Sequence, residues 1–128
     1  MKINLKLTNQ KALDLTGRTQ YIDQEVVKSA PQHKDKEVKL EFFKIDKLIS
    51  VQELAEEYEK RGLRPADLRE LCIYDKENTD YDYFATQWEI DGIFYFATFL
   101  RWDGRRSVGV SRHGGVWHDD WWFAGVCK

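Results

Sequence analysis

The stretch HGGVWHDDWWFAG, residues 113–125, holds most of the side chains in this chain that could perform chemistry. Its imidazoles and carboxylates, on His113, His118, Asp119 and Asp120, are of the types that bind zinc or assist hydrolysis. The spacing is a weak signal, because two histidines separated by four residues across a Gly-Gly loop match no established ligand pattern. We favour a solvated turn here and predict no metal and no cofactor. A small metal-binding protein or hydrolytic enzyme using these four residues is the alternative.

A second polar segment, residues 75–82, carries four carboxylates that could suggest a calcium loop: Asp75, Glu77, Asp80 and Asp82. It lacks the central glycine and the distal glutamate of such a loop, so we interpret it as a solvated linker between a helix and a strand. Asp82 is expected to pair with Arg101 across the following hairpin. The two cysteines, Cys72 and Cys127, have no metal-binding spacing, and we predict two free, buried thiols.

Composition indicates a soluble globular protein. The 128 residues suit a single domain over 1–128, and 42% hydrophobic with 33% charged residues is too apolar for a disordered chain. The net charge of −2 argues against a general nucleic-acid binder. The first ten residues lack the apolar run of a secretory signal, and no stretch is long enough to span a bilayer. We therefore expect a cytoplasmic location and no membrane partner.

The positioning elements fall into three parts. Residues 1–49 are expected to be strand-rich, since Ile3, Leu5 and Leu7 alternate with polar residues and 37–45 forms a second apolar strand. Weaker strand candidates are ALDLTG and YIDQEVV. Residues 50–75 predict a helical pair. The first helix starts with a capping box at Ser50 and Glu53 and ends at Gly62. The second has Pro65 at its first position.

Residues 81–128 predict a β-meander, because two Asp-Gly turns, at 91–92 and 103–104, separate apolar runs. The strands are about 83–90, 93–102, 105–112 and 121–127. Two-residue turns fix the register, so Ile90 should oppose Ile93 and Trp88 should oppose Tyr95. The fold class is therefore α+β: an antiparallel sheet with a C-terminal four-stranded meander, extended by N-terminal strands, and with the two consecutive helices packed on one face.

The other face of this meander is mixed, with Phe94, Phe96 and Leu100 in line along its second strand. A purely solvated face would not carry these three, so something covers them. We favour an intramolecular cover by the N-terminal strands or by residues 8–37, and a partner molecule is the other possibility. Trp121 and Trp122 are adjacent in a strand and must point to opposite faces, which sends one of them to this second face.

These observations favour a non-catalytic binding module that acts through the aromatic second face and the Trp-rich C-terminal hairpin, with a protein partner or self-association. The residues that we predict to contact the partner are Phe94, Phe96, Leu100, Trp102, Arg105, Arg106, Trp117, His118 and Trp121. A further alternative is single-stranded nucleic acid, since Arg101, Arg105, Arg106 and Arg112 surround Trp102.

Overall fold

The computed structural model describes residues 1–78 and 80–128. Thr79, in the predicted linker before the first hairpin, lies outside the described residues. The described elements are α1 (Asn9–Leu15), β1 (Thr19–Ile22), α2 (Gln24–Ser29), β2 (Leu40–Lys44), β3 (Ile49–Ser50), α3 (Val51–Lys60), β4 (Leu63–Pro65), α4 (Leu68–Glu77), β5 (Tyr83–Ile90), β6 (Ile93–Trp102), β7 (Arg105–Arg112), β8 (Val116–Trp117) and β9 (Trp122–Cys127).

The fold is α+β with one mostly antiparallel sheet. Its strand order is β1-β7-β6-β5-β9-β2, and β4 also pairs with β9. Two neighbouring pairs are parallel, β1 with β7 and β5 with β9. A separate two-stranded ribbon joins β3 to β8, and we call it the β3–β8 ribbon. No helix among the described residues is long and apolar enough to cross a membrane.

The two Asp-Gly turns set the register of β5, β6 and β7 as predicted. Asp91 and Asp103 both have positive φ, at 52° and 53°, and each is followed by a glycine with positive φ, which is the conformation of a type I′ hairpin turn. Ile90 opposes Ile93 and Trp88 opposes Tyr95. Turn chemistry alone therefore determined which side chains of these strands share a face.

The last strand does not continue the meander. Instead of lying beside β7, β9 crosses to the far side of β5, where Phe84 and Ala85 pair in parallel with Trp122 and Phe123. The predicted four-stranded meander is thus a three-stranded meander followed by a crossover. A tight Gly114-Gly115 hairpin would have placed Asp119 in the apolar core, and the chain avoids this by pairing β8 with β3 on the way.

The two consecutive helices lie on opposite faces of the sheet, which corrects the prediction that they share one. Leu54 and Tyr58 of α3 belong to one core cluster, whereas Leu68 and Leu71 of α4 belong to the other. The cause is β4, which follows α3 and pairs with β9. The chain therefore passes through the sheet plane between the two helices.

The local signals of these helices are partly confirmed. Ser50 and Glu53 form the predicted capping box, and Gly62 ends the first helix with φ of 68°. Pro65, however, lies in β4 rather than at the start of a helix. Asp67 caps α4, in a second capping box with Glu70.

The N-terminal part is less strand-rich than expected. Ile3, Leu5 and Leu7 form no strand, and the only ladder contact described for this segment is a single bridge between Lys2 and Glu37. The stretch predicted as a weak strand at 12–17 is mostly helix α1. Residues 21–27 divide between β1 and α2, and the side chain of Asp23 caps α2. Both short helices face the same core as α4.

Two cores therefore flank the sheet. The first face packs against α1, α2 and α4, and buries among others Phe84, Ala97, Phe99, Val108 and Val110. The second face packs against α3 and the β3–β8 ribbon, and buries Phe43, Ala85 and Phe123. Trp122 contacts the first core and Trp121 contacts the second, which resolves the orientation that the sequence left open.

Candidate functional site

The cover on the second face is incomplete. It comes from α3 and the β3–β8 ribbon, not from the N-terminal segment as predicted, and it packs over β2, β9 and β5. On β6 the second core reaches only Phe96, and it includes no residue of β7 or β1. Two large aromatic side chains of this uncovered half are strongly exposed: Tyr21 of β1 at 70% and Trp102 of β6 at 67%.

A shallow depression of about 380 Å³ lies on this uncovered half, and we call it the Tyr21–Trp102 depression. Its position follows from the register: Ser107 of β7 is paired with Thr19 on one side and with Leu100 on the other. Tyr21 lies beside Gly109 and Trp102 lies opposite Arg105, four residues away along β7. The lining residues are Thr19, Tyr21, Leu100, Trp102, Arg105, Arg106 and Ser107.

A buried ion pair fixes the floor of this depression from beneath. The Arg18 guanidinium donates to both carboxylate oxygens of Asp75, at 2.8 and 2.7 Å. It also donates to the main-chain carbonyls of Leu100 and Ser107, both at 3.0 Å. The central carbon of the guanidinium, Cζ, lies 5.4 Å from the ring centre of Phe99. Arg18 thus ties α4 to the two strands whose residues form the depression.

Arg106 connects the same carboxylate to the surface. Its Nη2 donates to Asp75 at 3.1 Å, while 39% of its side chain stays exposed. The interpretation of this segment as a solvated linker is therefore wrong for Asp75, which lies in α4 and is buried between two arginines, and the same burial gives no support to a calcium loop. Asp82 accepts from Arg101 at 2.9 Å, which confirms the predicted pairing across the hairpin.

The structure brings four of the nine predicted contact residues together in the depression, namely Leu100, Trp102, Arg105 and Arg106. Tyr21 also lines the depression and was not among the predicted contact residues. The only signal for it was that YIDQEVV was a strand candidate, and its place beside β7 follows from a parallel pairing that no local pattern encodes.

The other predicted contact residues lie elsewhere. Trp117 is 3% exposed, and its indole nitrogen donates to Gln87 at 2.8 Å, so it is a core residue and not an accessible contact. Phe96 and the half-buried Trp121 pack against Trp117. Phe94 lines a different cavity, beside β5. His118 is exposed, in the loop between β8 and β9.

The candidate catalytic or metal cluster does not form one site in the structure; its members are His113, His118, Asp119 and Asp120. His113 packs edge-on against Trp117 with ring centres 4.8 Å apart, and burial lowers its pKa. The three other side chains are exposed. Among the described residues, the group of His, Cys, Asp and Glu close enough to share a metal ion is His33, Asp67 and Glu70.

That group is better explained as structural. Arg64 donates to both oxygens of Glu70, at 2.9 and 2.8 Å, and its positive charge opposes a cation there. Asp67 accepts from the backbone nitrogens of Glu70 and His33, at 2.8 and 2.9 Å. A metal would have to displace these hydrogen bonds, and nothing else in the donor set favours it.

The thiols differ from the prediction in one respect. Both cysteines are free, and Cys72 is buried as predicted, whereas Cys127 is exposed at the end of β9. No protein-family model matches this chain, and neither does any curated protein or solved structure. Its function has to be inferred from the geometry of the chain itself.

Proposed function

We propose that this chain is a non-catalytic binding module whose partner is a protein, held at the Tyr21–Trp102 depression. The observation that carries the proposal is the exposure of Tyr21 and Trp102, at 70% and 67%, on the same open half of one sheet face. Both side chains line one depression together with Leu100 and Arg105. Exposed large aromatics grouped in this way are a feature of interaction surfaces.

The residue types favour a protein partner. Trp, Tyr and Arg contribute most of the binding energy at protein interfaces, especially where they surround a pocket that excludes water. Nucleic acid is less well supported, because two of the neighbouring arginines are already neutralised. Arg106 pairs with Asp75 and Arg101 pairs with Asp82. The net charge of −2 also provides no long-range attraction for phosphates.

The floor beneath the depression supports the same conclusion. Main-chain carbonyls of Leu100 and Ser107 are held by the buried Arg18, so the strands under the depression are fixed before a partner arrives. A preorganised surface loses less conformational entropy on binding, and more of its contact energy appears as affinity.

The test is site-specific crosslinking in the cells that produce the protein. A photoreactive amino acid is placed at position 21 or 102, and at position 48 as a matched control. Leu48 is also an exposed apolar residue, at 59%, but lies in the loop before β3. We expect the same protein adduct from positions 21 and 102 and none from position 48. Tyr21→Ala and Trp102→Ala should weaken binding of that purified protein at least tenfold each, as expected for hot-spot residues.

The alternative outcomes are distinct. Adducts to RNA or DNA at both positions would replace the protein partner by nucleic acid. An adduct to a second copy of the chain, with a concentration-dependent sedimentation coefficient, would identify self-association as the protein contact. Identical adducts from all three positions, or none from positions 21 and 102, would refute the proposal.

A further inference from the structure

Strand β1 forms one edge of the main sheet, and among the described residues it has a neighbouring strand, β7, on one side only. All four of its residues are exposed or partly exposed, and so are the three that follow them. Helix α1 reaches this edge only through side chains, because Gln10 donates to the amide oxygen of Gln20 at 3.1 Å and Asp14 accepts from its amide nitrogen at 3.0 Å. The main chain along the outer side of β1 is therefore open.

The ladder with β7 determines which main-chain groups of β1 point outward. The backbone nitrogen of Asp23 donates to the carbonyl of Val110 at 2.8 Å. Alternate residues of a strand direct their main-chain groups to the same neighbour, so Tyr21 also bonds to β7. Gln20 and Ile22 then direct their N–H and C=O groups away from the sheet, and no described residue pairs with these groups.

The β6–β7 hairpin gives the same alternation independently. Trp102 and Arg105 flank a two-residue turn and so form a hydrogen-bonded pair. Hydrogen-bonded and non-hydrogen-bonded pairs alternate from there, which leaves Val108 and Val110 directed away from β6 and toward β1. These are the residues of β7 with which Tyr21 must bond if Gln20 points outward.

The sequence of β1 lacks the features that keep an exposed edge strand from pairing. Charged side chains, prolines and bulges are the common ones, and β1 reads TQYI, with neither charge nor proline. Strand β2, at the opposite edge of the sheet, carries Glu41 and Lys44. Thr, Tyr and Ile are also among the residues that favour strands. The edge of β1 is therefore suited to accept another strand.

We propose that two copies of the chain pair through this edge, with their β1 strands antiparallel about a two-fold axis beside Tyr21. Gln20 of each copy then lies opposite Ile22 of the other, and their outward groups form four main-chain hydrogen bonds. Tyr21 lies opposite Tyr21 of the second copy, as a non-hydrogen-bonded pair in which aromatic side chains attract each other. Two-fold contacts of this kind are the commonest among homo-oligomers.

The charges at the two ends of β1 favour a second copy in this orientation. Asp23 directly follows β1, whereas Arg105 lies at its other end, two residues along β7 from Ser107, the partner of Thr19. Asp23 and Arg105 are exposed, and neither forms a salt bridge among the described residues. A two-fold axis beside Tyr21 brings the acidic end of each strand to the basic end of the other, whereas parallel pairing would bring like charges together.

The first test is sedimentation equilibrium of the full chain. The apparent mass should rise with concentration from 15.2 kDa toward twice that value. Gln20→Pro removes an outward N–H and no bond to β7, so it should raise the dimer dissociation constant at least about tenfold without unfolding the chain. The matched control is Gln20→Ala, which loses the same side chain but keeps the N–H and should associate as the unmodified chain does.

The register is tested by disulfide crosslinking in a Cys127→Ser background, which removes the exposed native thiol. Tyr21→Cys should form a covalent dimer on oxidation, because directly opposed Cβ atoms lie about 4.5–5.5 Å apart. Thr19→Cys is the matched control on the same face. It lies opposite Asp23 of the second copy, so the two cysteines are separated by four residues, about 13 Å, and should not crosslink.

The amides of Gln20 and Ile22 should also exchange more slowly as the concentration of the unmodified chain rises, a measurement that needs no variant. The proposal is overturned if the apparent mass does not rise, if Gln20→Pro associates as tightly as Gln20→Ala, or if Thr19→Cys crosslinks as readily as Tyr21→Cys. The dimer does not depend on the proposed function, because Trp102 lies on β6, two strands in from the edge. A photoreactive residue at position 21, and not one at position 102, should therefore also give an adduct with a second copy.

Discussion

The substitution Asp75→Ala should be among the most destabilising in this protein, because it removes the counter-charge of a buried arginine. Arg18 is buried, and two of its nitrogens donate to Asp75 at 2.8 and 2.7 Å. Breaking a buried pair from one side costs about 3–5 kcal/mol, since the remaining charge stays buried without a partner. For a domain with a total stability of about 5–15 kcal/mol, this is a large fraction.

The assay is equilibrium unfolding in urea. With an m value of about 2 kcal/mol/M, a loss of about 4 kcal/mol lowers the midpoint by about 2 M. Asp75→Asn also removes the counter-charge, but it keeps one hydrogen-bond acceptor for Arg18 and the side-chain volume, so its loss should be smaller, at about 2 kcal/mol. Asp119→Ala, an exposed carboxylate in the loop before β9, is the control and should leave the midpoint unchanged.

A double-mutant cycle decides whether the two charges act on each other. Arg18→Met alone leaves Asp75 with Arg106, at 3.1 Å, so the carboxylate keeps one cation. When Asp75→Ala and Arg18→Met are combined, neither charge of the pair is left buried alone. The free energy of unfolding of the double variant should therefore exceed the value expected from adding the two single losses, by at least about 1.5 kcal/mol. Additivity within about 0.5 kcal/mol would refute the reasoning, because it would mean that the pair contributes no interaction beyond its separate environments.

Three further predictions concern single side chains. Maleimide should label Cys127, which is exposed, while Cys72 stays unlabelled until the protein unfolds, since burial shields it and raises the pKa of its thiol; equal labelling rates would contradict this. Trp102→Phe should remove most of the iodide-quenchable fluorescence, because Trp102 is the strongly exposed tryptophan, and unchanged quenching would show that it is covered in solution. The pKa of His113, measured by NMR, should lie below its ordinary value of 6.5, because burial disfavours the charged form of the imidazole. The free energy of unfolding should then decrease as the pH falls below 6.5, and an NMR titration midpoint at or above 6.5 would contradict the burial.

The register of the hairpins was predictable because its cause is local. An Asp-Gly turn with positive φ at both positions allows one pairing of the flanking strands, and that pairing fixes every side-chain neighbour along β5, β6 and β7. Helix α3 was predictable for the same reason, since Ser50 and Glu53 determine its start and Gly62 its end, all within a few residues of the helix.

The faces of the helices and the place of the last strand were not predictable, because their causes are distant in the sequence. Strand β4 separates the two helices only because it pairs with β9, about sixty residues later in the chain. Strand β9 also pairs with β5 and β2 rather than with β7. Neither pairing leaves a signal in the three residues of β4 or in the six of β9.

The candidate site was predicted in part for a related reason. Alternation in β6 placed Leu100 and Trp102 on one face, and the hairpin register brought Arg105 beside them. Trp117 was assigned to the surface, although it is buried against Gln87, because the position of the β3–β8 ribbon was unknown. Tyr21 was missed because β1 joins the sheet through a parallel pairing.

The exposed half of the second face follows from the dimensions of the elements. Six strands lie side by side in the sheet, and at a spacing of about 4.8 Å they span about 24 Å. One helix with its side chains covers a width of only about 10–12 Å. Three helices cover the first face, but α3 and a ribbon of two short strands have to cover the second. About half of that face must therefore stay open. A sheet face that is open only because no element covers it would be expected to carry mainly polar and charged residues, whereas this one carries Tyr21, Leu100 and Trp102 beside its arginines. It is this choice of side chains, not the opening itself, that points to a binding surface.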